Sequence, residues 1–250
     1  MKNAAVESTL QDLPDSASMG ALNWNARATH TSLPETVYRE LKRAIFNGVF
    51  RPGQMLRQEE LARSLGVSRA PLREALPRLE AEGIVVLHPR RGYAVVSLDP
   101  DEIIEIFELR MLLEERAGYL ATQRRKESEV ALVRGLHDEM AAITPDNTAA
   151  IARWSELNME FHGALLAPCG RKRFQRVIES LRTVVEPYIR VEIAITGGLD
   201  EAQSEHEGLL NAFASGDAEL AAELSREHCE HTAKRLLEGL ERRSKPVAAQ

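Results

Sequence analysis

The sequence predicts a mainly α-helical fold in two domains, a small one closed by a short β-hairpin and a larger all-helical bundle. Three observations carry this. Apolar residues recur at helical spacing through most of residues 34–240, with one extended stretch at 84–96. Gly, Pro and Asp/Asn breaks cut the helical part into segments of ordinary length. The charge is also partitioned: Pro34 to Leu98 holds 11 Lys/Arg and 7 Asp/Glu, a balance of +4, while Asp99 to Leu240 holds 16 and 27, a balance of −11.

That partition makes the overall charge of −6 a poor guide to partners, because a basic module beside an acidic one can still address a polyanion. At 250 residues and 44% apolar, the chain can bury two cores. No apolar run approaches the ~20 residues of a membrane helix. No basic segment followed by an apolar core opens the chain. Cys169 and Cys229 do not make a disulfide framework. A cytoplasmic protein without membrane partners is expected.

In chain order, residues 1–32 mix Ser, Asp, Asn, Ala and Thr without periodicity and read as a flexible arm, Trp24 being its one residue suited to docking. Residues 33–98 form the first domain. Leu33, Val37, Leu41, Ala44 and Ile45 stripe a helix from about Pro34 to Asn47, ended by Gly48. Pro52-Gly53 turns the chain. Leu61, Ala62 and Leu65 mark a short helix closed by Gly66. Ser68 is a suitable N-cap for the next helix, Pro71 suits its first turn, and Leu72, Ala75, Leu76 and Leu79 face inward. Ser68, Arg69 and Arg73 are left on the outward N-terminal end. After Gly83, Ile84 to Leu87 and Tyr93 to Val96 are β-formers around the turn His88-Pro89-Arg90-Arg91-Gly92. The whole is a winged helix-turn-helix with a small β-wing. In such modules the second helix enters the major groove, so Arg69 and Arg73 are placed for guanine edges or phosphates, and Arg90 and Arg91 for the backbone or minor groove. An isolated arginine is usually solvated surface; four at these two places suit a nucleic acid.

Residues 34–98 resemble the GntR family of bacterial transcription factors. The resemblance is carried by Leu41 through Gly48, Pro52-Gly53, Val67-Ser68-Arg69-x-Pro71-x-Arg73-Glu74-Ala75-Leu76, Leu79-Glu80-x-Glu82-Gly83 and Arg91-Gly92. It implies that Ser68, Arg69, Arg73 and Gly92 contact operator DNA. Two positions depart from the pattern. Ala70 stands where threonine is common, and Pro77 lies inside the recognition helix, where it should kink or end it beyond the DNA-reading turn.

Residues 99–241 form the second domain, with 242–250 as a flexible tail. Asp99-Pro100-Asp101-Glu102 is an N-cap, a first-turn proline and a capping box. Helices are expected to about Arg124, then near 127–142, 147–167, 171–195, 200–215 and 217–241, with Pro187 kinking the fourth. This is an antiparallel all-α bundle of about six helices, whose sites are built from core-facing side chains. Polar residues stand where periodicity asks for apolar ones. Asn158 and His162 share the Trp154, Leu157, Phe161, Leu165 face; His206 lies with Ala202, Leu209 and Phe213; His228 lies with Ala221 and Leu224. Each alone reads as a hydrogen-bonded core histidine. Together they can converge on a divalent transition metal such as Zn, Ni, Mn or Fe. His137 and His231 read as surface or network residues, and Cys229 points about 100° away from His228.

Asp99 to Leu240 resembles the ligand-binding (FCD) domain of the FadR subfamily within GntR. Metal-binding members carry Asp-x-x-x-His and two further histidines 22 positions apart; Asn158-x-x-x-His162 and the interval His206 to His228 fit that pattern. Asn158 replaces the aspartate, so the ligand atom brings no charge. The resemblance also implies that Arg110, in Glu108-Leu109-Arg110-x-x-Leu113-Glu114, faces an effector pocket and grips a carboxylate; Glu114 beside it, and Arg182, Tyr188 and Arg190 on the helix kinked by Pro187, are further effector candidates. An internal Arg110–Glu114 ion pair is the equal alternative.

These readings predict a homodimeric regulator, not an enzyme. It would repress from a palindromic operator on double-stranded DNA under the control of a small carboxylate effector. Two alternatives stand beside it: a regulator whose effector is the metal itself, and a metal-dependent hydrolase bundle joined to a DNA-binding domain.

Overall fold

The computed structural model describes residues 32–196 and 199–244. The expected arm, Trp24 included, and most of the expected tail lie outside these residues. The chain divides into two compact units at Leu98/Asp99, the second running to Leu240.

The first unit opens with α1 (Leu33–Phe46), whose stripe Val37, Leu41, Ala44 and Ile45 is buried. Then come β1 (Met55–Leu56), α2 (Gln58–Ser64), α3 (Arg69–Ala81), β2 (Val85–His88) and β3 (Gly92–Val95). The two-stranded wing gains a third strand: the antiparallel sheet runs β1-β3-β2, with Leu56 opposite Tyr93 and Leu87 opposite Tyr93 from the other side. Two residues are too few for a period to show in sequence. The Pro52-Gly53 turn makes the pairing possible, since the Gly53 amide donates to the Val95 carbonyl and the Val95 amide to the Gln54 carbonyl. Leu41, Leu61, Leu72, Leu76 and Leu79 are all but fully buried and join α1, α2 and α3 into one core.

Pro77 does not end α3, which continues to Ala81. Its ring and Arg73 lie on the exposed side, so solvent can satisfy the Arg73 carbonyl that loses its intrahelical partner.

The second unit consists, among the described residues, of α4 (Pro100–Arg124), α5 (Glu127–Ala141), α6 (Thr148–Leu166), α7 (Lys172–Thr196), α8 (Asp200–Ser215) and α9 (Ala218–Ser244), with one 3-10 turn at Ala167–Cys169. The capping box forms as the sequence implies: the Glu102 amide donates to Asp99 Oδ1 at 2.9 Å, and the Asp99 amide to Glu102 Oε2 at 2.8 Å. Asn147 caps α6 through the Ala150 amide. Pro187 lies inside α7, and the helix is continuous across it. The core around Phe161, Phe213, Leu209 and Ala117 places α4, α6 and α8 against one another.

At Gly118 the backbones of α4 and α9 approach closely. A Cβ there would stand 2.6 Å from Ser225 Oγ and 3.3 Å from the Ala221 carbonyl oxygen. Gly118→Ala is therefore expected to destabilise the unit by ~1–3 kcal/mol despite the better helix propensity of alanine. Urea unfolding would check this, and a gain in stability would show that the contact relaxes freely.

Candidate functional site

On the first unit, α3 presents Arg69 and Arg73 at its exposed N-terminal end. Ser68 is the N-cap but makes no capping bond. The reason is local: Pro71 occupies the third helical position and has no N–H to donate, so the hydroxyl stays available at the surface. Arg69 pairs with Glu59 at the start of α2, whereas Arg73 makes no ion pair among the described residues. At the wing tip, Arg90 takes φ of +66° and Gly92 takes φ of +99°. That left-handed turn, with the Arg91 amide donating to the His88 carbonyl, holds Arg90 and Arg91 outward and exposed. All six residues singled out for DNA thus lie on the exposed end of one helix or at the wing tip.

In the second unit, His162 of α6, His206 of α8 and His228 of α9 converge, with ligand atoms all within 4.8 Å of one another. His162 Nε2 and His206 Nε2 stand 3.2 Å apart. Two nitrogens on a tetrahedral ion with bonds of ~2.0–2.1 Å would stand ~3.3 Å apart. Burial pushes His162 and His206 well below the ordinary imidazole range, with the neighbouring Arg182 charge adding to it, and burial lowers His228 too. Neutral imidazole is the form that ligates. His228 Nδ1 lies 2.6 Å from Glu205 Oε2, which orients Nε2 toward the other two rings. A carboxylate behind a ligating histidine is the usual support at metal sites. Asn158, one turn before His162, is buried and its Oδ1 has no partner; His206 Nδ1 is likewise buried without one. Buried polar atoms are seldom left so. Three neutral nitrogens, one orphaned amide oxygen and a supporting carboxylate fit a borderline divalent transition ion.

Beside the cluster lies a cleft that opens to solvent, whose walls include Arg110, Arg182, Trp154, Asn158, His206 and His228. Arg110 is 1% exposed and donates through Nε to Glu114 Oε1 at 2.8 Å, while Arg182 donates to Glu114 Oε2. The ion pair and the pocket position therefore coexist: Arg110 Nη1 remains buried without an acceptor. One carboxylate holding two guanidiniums fixes both donors for a ligand.

Glu114 does not line the cavity; it is the brace between the two arginines. Tyr188 and Arg190 do not line it either. The cavity side of α7 runs through Arg182, Ile189 and Ile193, and Arg190, one residue beyond Ile189, is turned about 100° away to bond Glu186. Arg182, only a secondary candidate in sequence, is the α7 arginine that faces the space. Glu205 was missed by sequence reasoning. It gathers His228, His231 and Arg235, which recur on one face of α9 at a spacing that calls for a common anionic partner. Burial alone would raise its carboxyl, but the bonds from His228 and Arg235 hold it at about 2. Burial keeps the Cys229 thiol up at about 12, far from a thiolate ligand.

Residues 33–95 match the bacterial regulatory protein gntR family, and residues 105–231 match the FCD domain. Among curated relatives, the chain is 29% identical over 212 residues to the HTH-type transcriptional regulator YdhC of Bacillus subtilis, covering 82% of this chain and 92% of that protein. It is 29% identical over 198 residues to the HTH-type transcriptional repressor GlaR of Escherichia coli, covering 76% and 90%. Among solved structures, McbR/YncC of E. coli superposes with a TM-score of 0.71 at 24% identity, covering 84% of this chain and 99% of that one. A GntR transcriptional regulator from a Rhodococcus species superposes with a TM-score of 0.67 at 25% identity, covering 83% and 99%. The chain belongs to the gntR family of bacterial regulatory proteins, a DNA-binding transcriptional regulator in which the helix-turn-helix unit is followed by an FCD domain.

Proposed function

We propose that this regulator is a metal-dependent, acid-responsive repressor of the FadR type, acting as a dimer on a palindromic operator. Its metal would be zinc, nickel, manganese or iron on His162, His206, His228 and Asn158, and its effector a small organic acid held by Arg110 and Arg182. The observation that carries the reading is a trio of convergent imidazoles, His206 and His228 of them in the cavity wall, beside a braced guanidinium in the same wall whose Nη1 has no acceptor. When bound, the ion supplies a Lewis-acidic point for one end of the acid. The chain's own residues do the rest: Glu114 aims Arg110 and Arg182, Glu205 sets His228, and the Phe161 ring packs against those of His162 and His206. An effector that binds one arrangement of the protein better lowers operator affinity by that difference and no more.

A second copy is supported by apolar side chains left exposed on α4, namely Ile104, Leu109 and Leu112, the last 70% exposed. The hydrolase alternative gains no support: Glu160 is exposed, and Glu205, the carboxylate at the cluster, is taken up by His228, His231 and Arg235.

Metal analysis and calorimetry with hydroxy, keto and sugar acids test the reading. His206→Ala is expected to abolish stoichiometric metal, and Arg110→Ala to weaken acid binding at least ~10-fold, the value of about one charge-assisted bond. Operator affinity should respond to the acid in the wild type alone. Metal-free protein that still binds the acid with full affinity would overturn the reading; loss of operator binding on chelation, without acid, would favour the ion as effector.

A further inference from the structure

We infer that Ala70 reads a thymine methyl in the operator and sets the specificity of this regulator at that base pair. The inference takes α3 as the reading helix and goes beyond the arginine contacts, which address guanine or phosphate. Its basis is the distribution of side chains around α3. Leu72, Ala75, Leu76 and Leu79 are buried, while Arg69, Ala70, Arg73, Glu74, Pro77 and Arg78 are exposed. At about 100° per residue, the exposed positions follow one another around the helix in the order Arg69, Arg73, Pro77, Ala70, Glu74, Arg78. Pro77 and Ala70 therefore hold the middle of the outward face, and neither side chain can donate or accept a hydrogen bond. Pro77 stands about two turns further along the helix. Ala70 is the second helical residue, in the turn that meets base edges when such a helix enters the major groove.

The polar side chains on either flank leave this apolar gap unfilled. Arg78 is drawn back to the body of the unit, donating to Glu35 Oε2 at 2.8 Å with its guanidinium 4.0 Å from the Tyr38 ring centroid. Glu74 carries no donor, and phosphate repels it. Arg69 and Arg73 lie one turn apart on the opposite flank. What faces outward at the centre of the reading turn is a methyl group. In the major groove adenine, guanine and cytosine offer hydrogen-bonding groups, and any of these set against a methyl loses its water with nothing in return. Thymine alone offers an apolar group there, its C5 methyl, and methyl against methyl removes apolar surface from water on both molecules. Ala70 also lies three residues before Arg73 and is its neighbour on the helix surface. Three residues advance ~4.5 Å along a helix and base pairs are ~3.4 Å apart, so the thymine belongs within about two base pairs of the Arg73 contact.

The test uses the full-length protein and an operator obtained by repeated selection from random duplex. Each thymine is replaced in turn by uracil, which deletes the C5 methyl and keeps the pairing edge and O4, and affinity is read by gel shift. At least one thymine is expected to cost ~4-fold on replacement, the value of about one buried methyl. At that position 5-methylcytosine paired with guanine is expected to bind better than cytosine by a similar factor, because it restores the methyl alone. Ala70→Gly is expected to bind the thymine and uracil duplexes equally, near the wild-type affinity for uracil. Circular dichroism establishes that the glycine variant folds, and the wild-type scan stands without it. Indifference to uracil at every position overturns the inference. A methyl effect that Ala70→Gly retains overturns the assignment to Ala70 and sets the methyl against another side chain. If Arg69→Ala and Arg73→Ala also leave affinity intact, α3 itself is overturned as the reading helix.

Discussion

Glu114→Gln is expected to destabilise the helical unit by about 3–5 kcal/mol at neutral pH, because it leaves Arg110 and Arg182 buried without their shared counter-charge. The unit holds both guanidiniums at under 10% exposure, so water cannot replace the carboxylate. Burial alone would raise the Glu114 carboxyl, but Arg182 and then Arg110 outweigh it and hold it at about 2. An acid whose folded value lies below its unfolded value of ~4.3 contributes stability that is present above ~4.3 and lost as the pH falls through ~2. The gap between wild type and variant should therefore be largest near neutrality and shrink as the pH falls below ~4.3. Glu205 titrates in the same window in both proteins and does not affect the difference. Urea unfolding followed by far-UV circular dichroism, repeated down the pH scale, reads this as a change in midpoint at constant slope. A variant with an unchanged midpoint would mean that the two arginines find solvent or another acceptor, and that neither is held ready for a ligand.

The ease of reading this chain follows the length over which a physical constraint repeats. Helices α4 to α9 each span several turns, so their apolar stripes and the cap at Asp99 are visible in the sequence and appear at the expected places. β1 repeats nothing: two residues become a strand only because β3 offers an edge. The histidine cluster was legible because three polar residues each interrupt a stripe, which requires a shared explanation. Glu205 interrupts no stripe, being a surface-type residue in sequence whose role is set by where α9 docks. Tyr188 and Arg190 failed as cavity residues for a rotational reason. At 100° per residue, a neighbour of the right residue on α7 faces elsewhere, and which residue is right depends on the approach of α4 and α8. Ser68 was legible as a cap by position but not by chemistry, since Pro71 removes the donor that would complete the bond.

Replacing both Arg69 and Arg73 with alanine is expected to weaken operator binding by ~2–6 kcal/mol, at ~1–3 kcal/mol per lost base contact, which is the largest effect available on the first unit. The two should differ in character. Arg73 is exposed on α3 with no ion pair among the described residues, so its guanidinium has no partner there to leave on meeting DNA. Arg69 must leave or share Glu59, with both side chains more than half exposed, and such a pair is worth only ~0–1 kcal/mol. Glu59→Ala should consequently tighten binding to any duplex slightly, by freeing Arg69 and removing an anion near the phosphates. An operator obtained by repeated selection from random duplex, with gel shifts at several salt concentrations, separates the roles. A base contact appears as relaxed specificity at one position with little change in salt slope; a phosphate contact appears as uniform weakening and a slope smaller by about one. Retention of full affinity by both single variants would place the DNA-reading surface away from α3, despite its exposed arginines and uncapped serine.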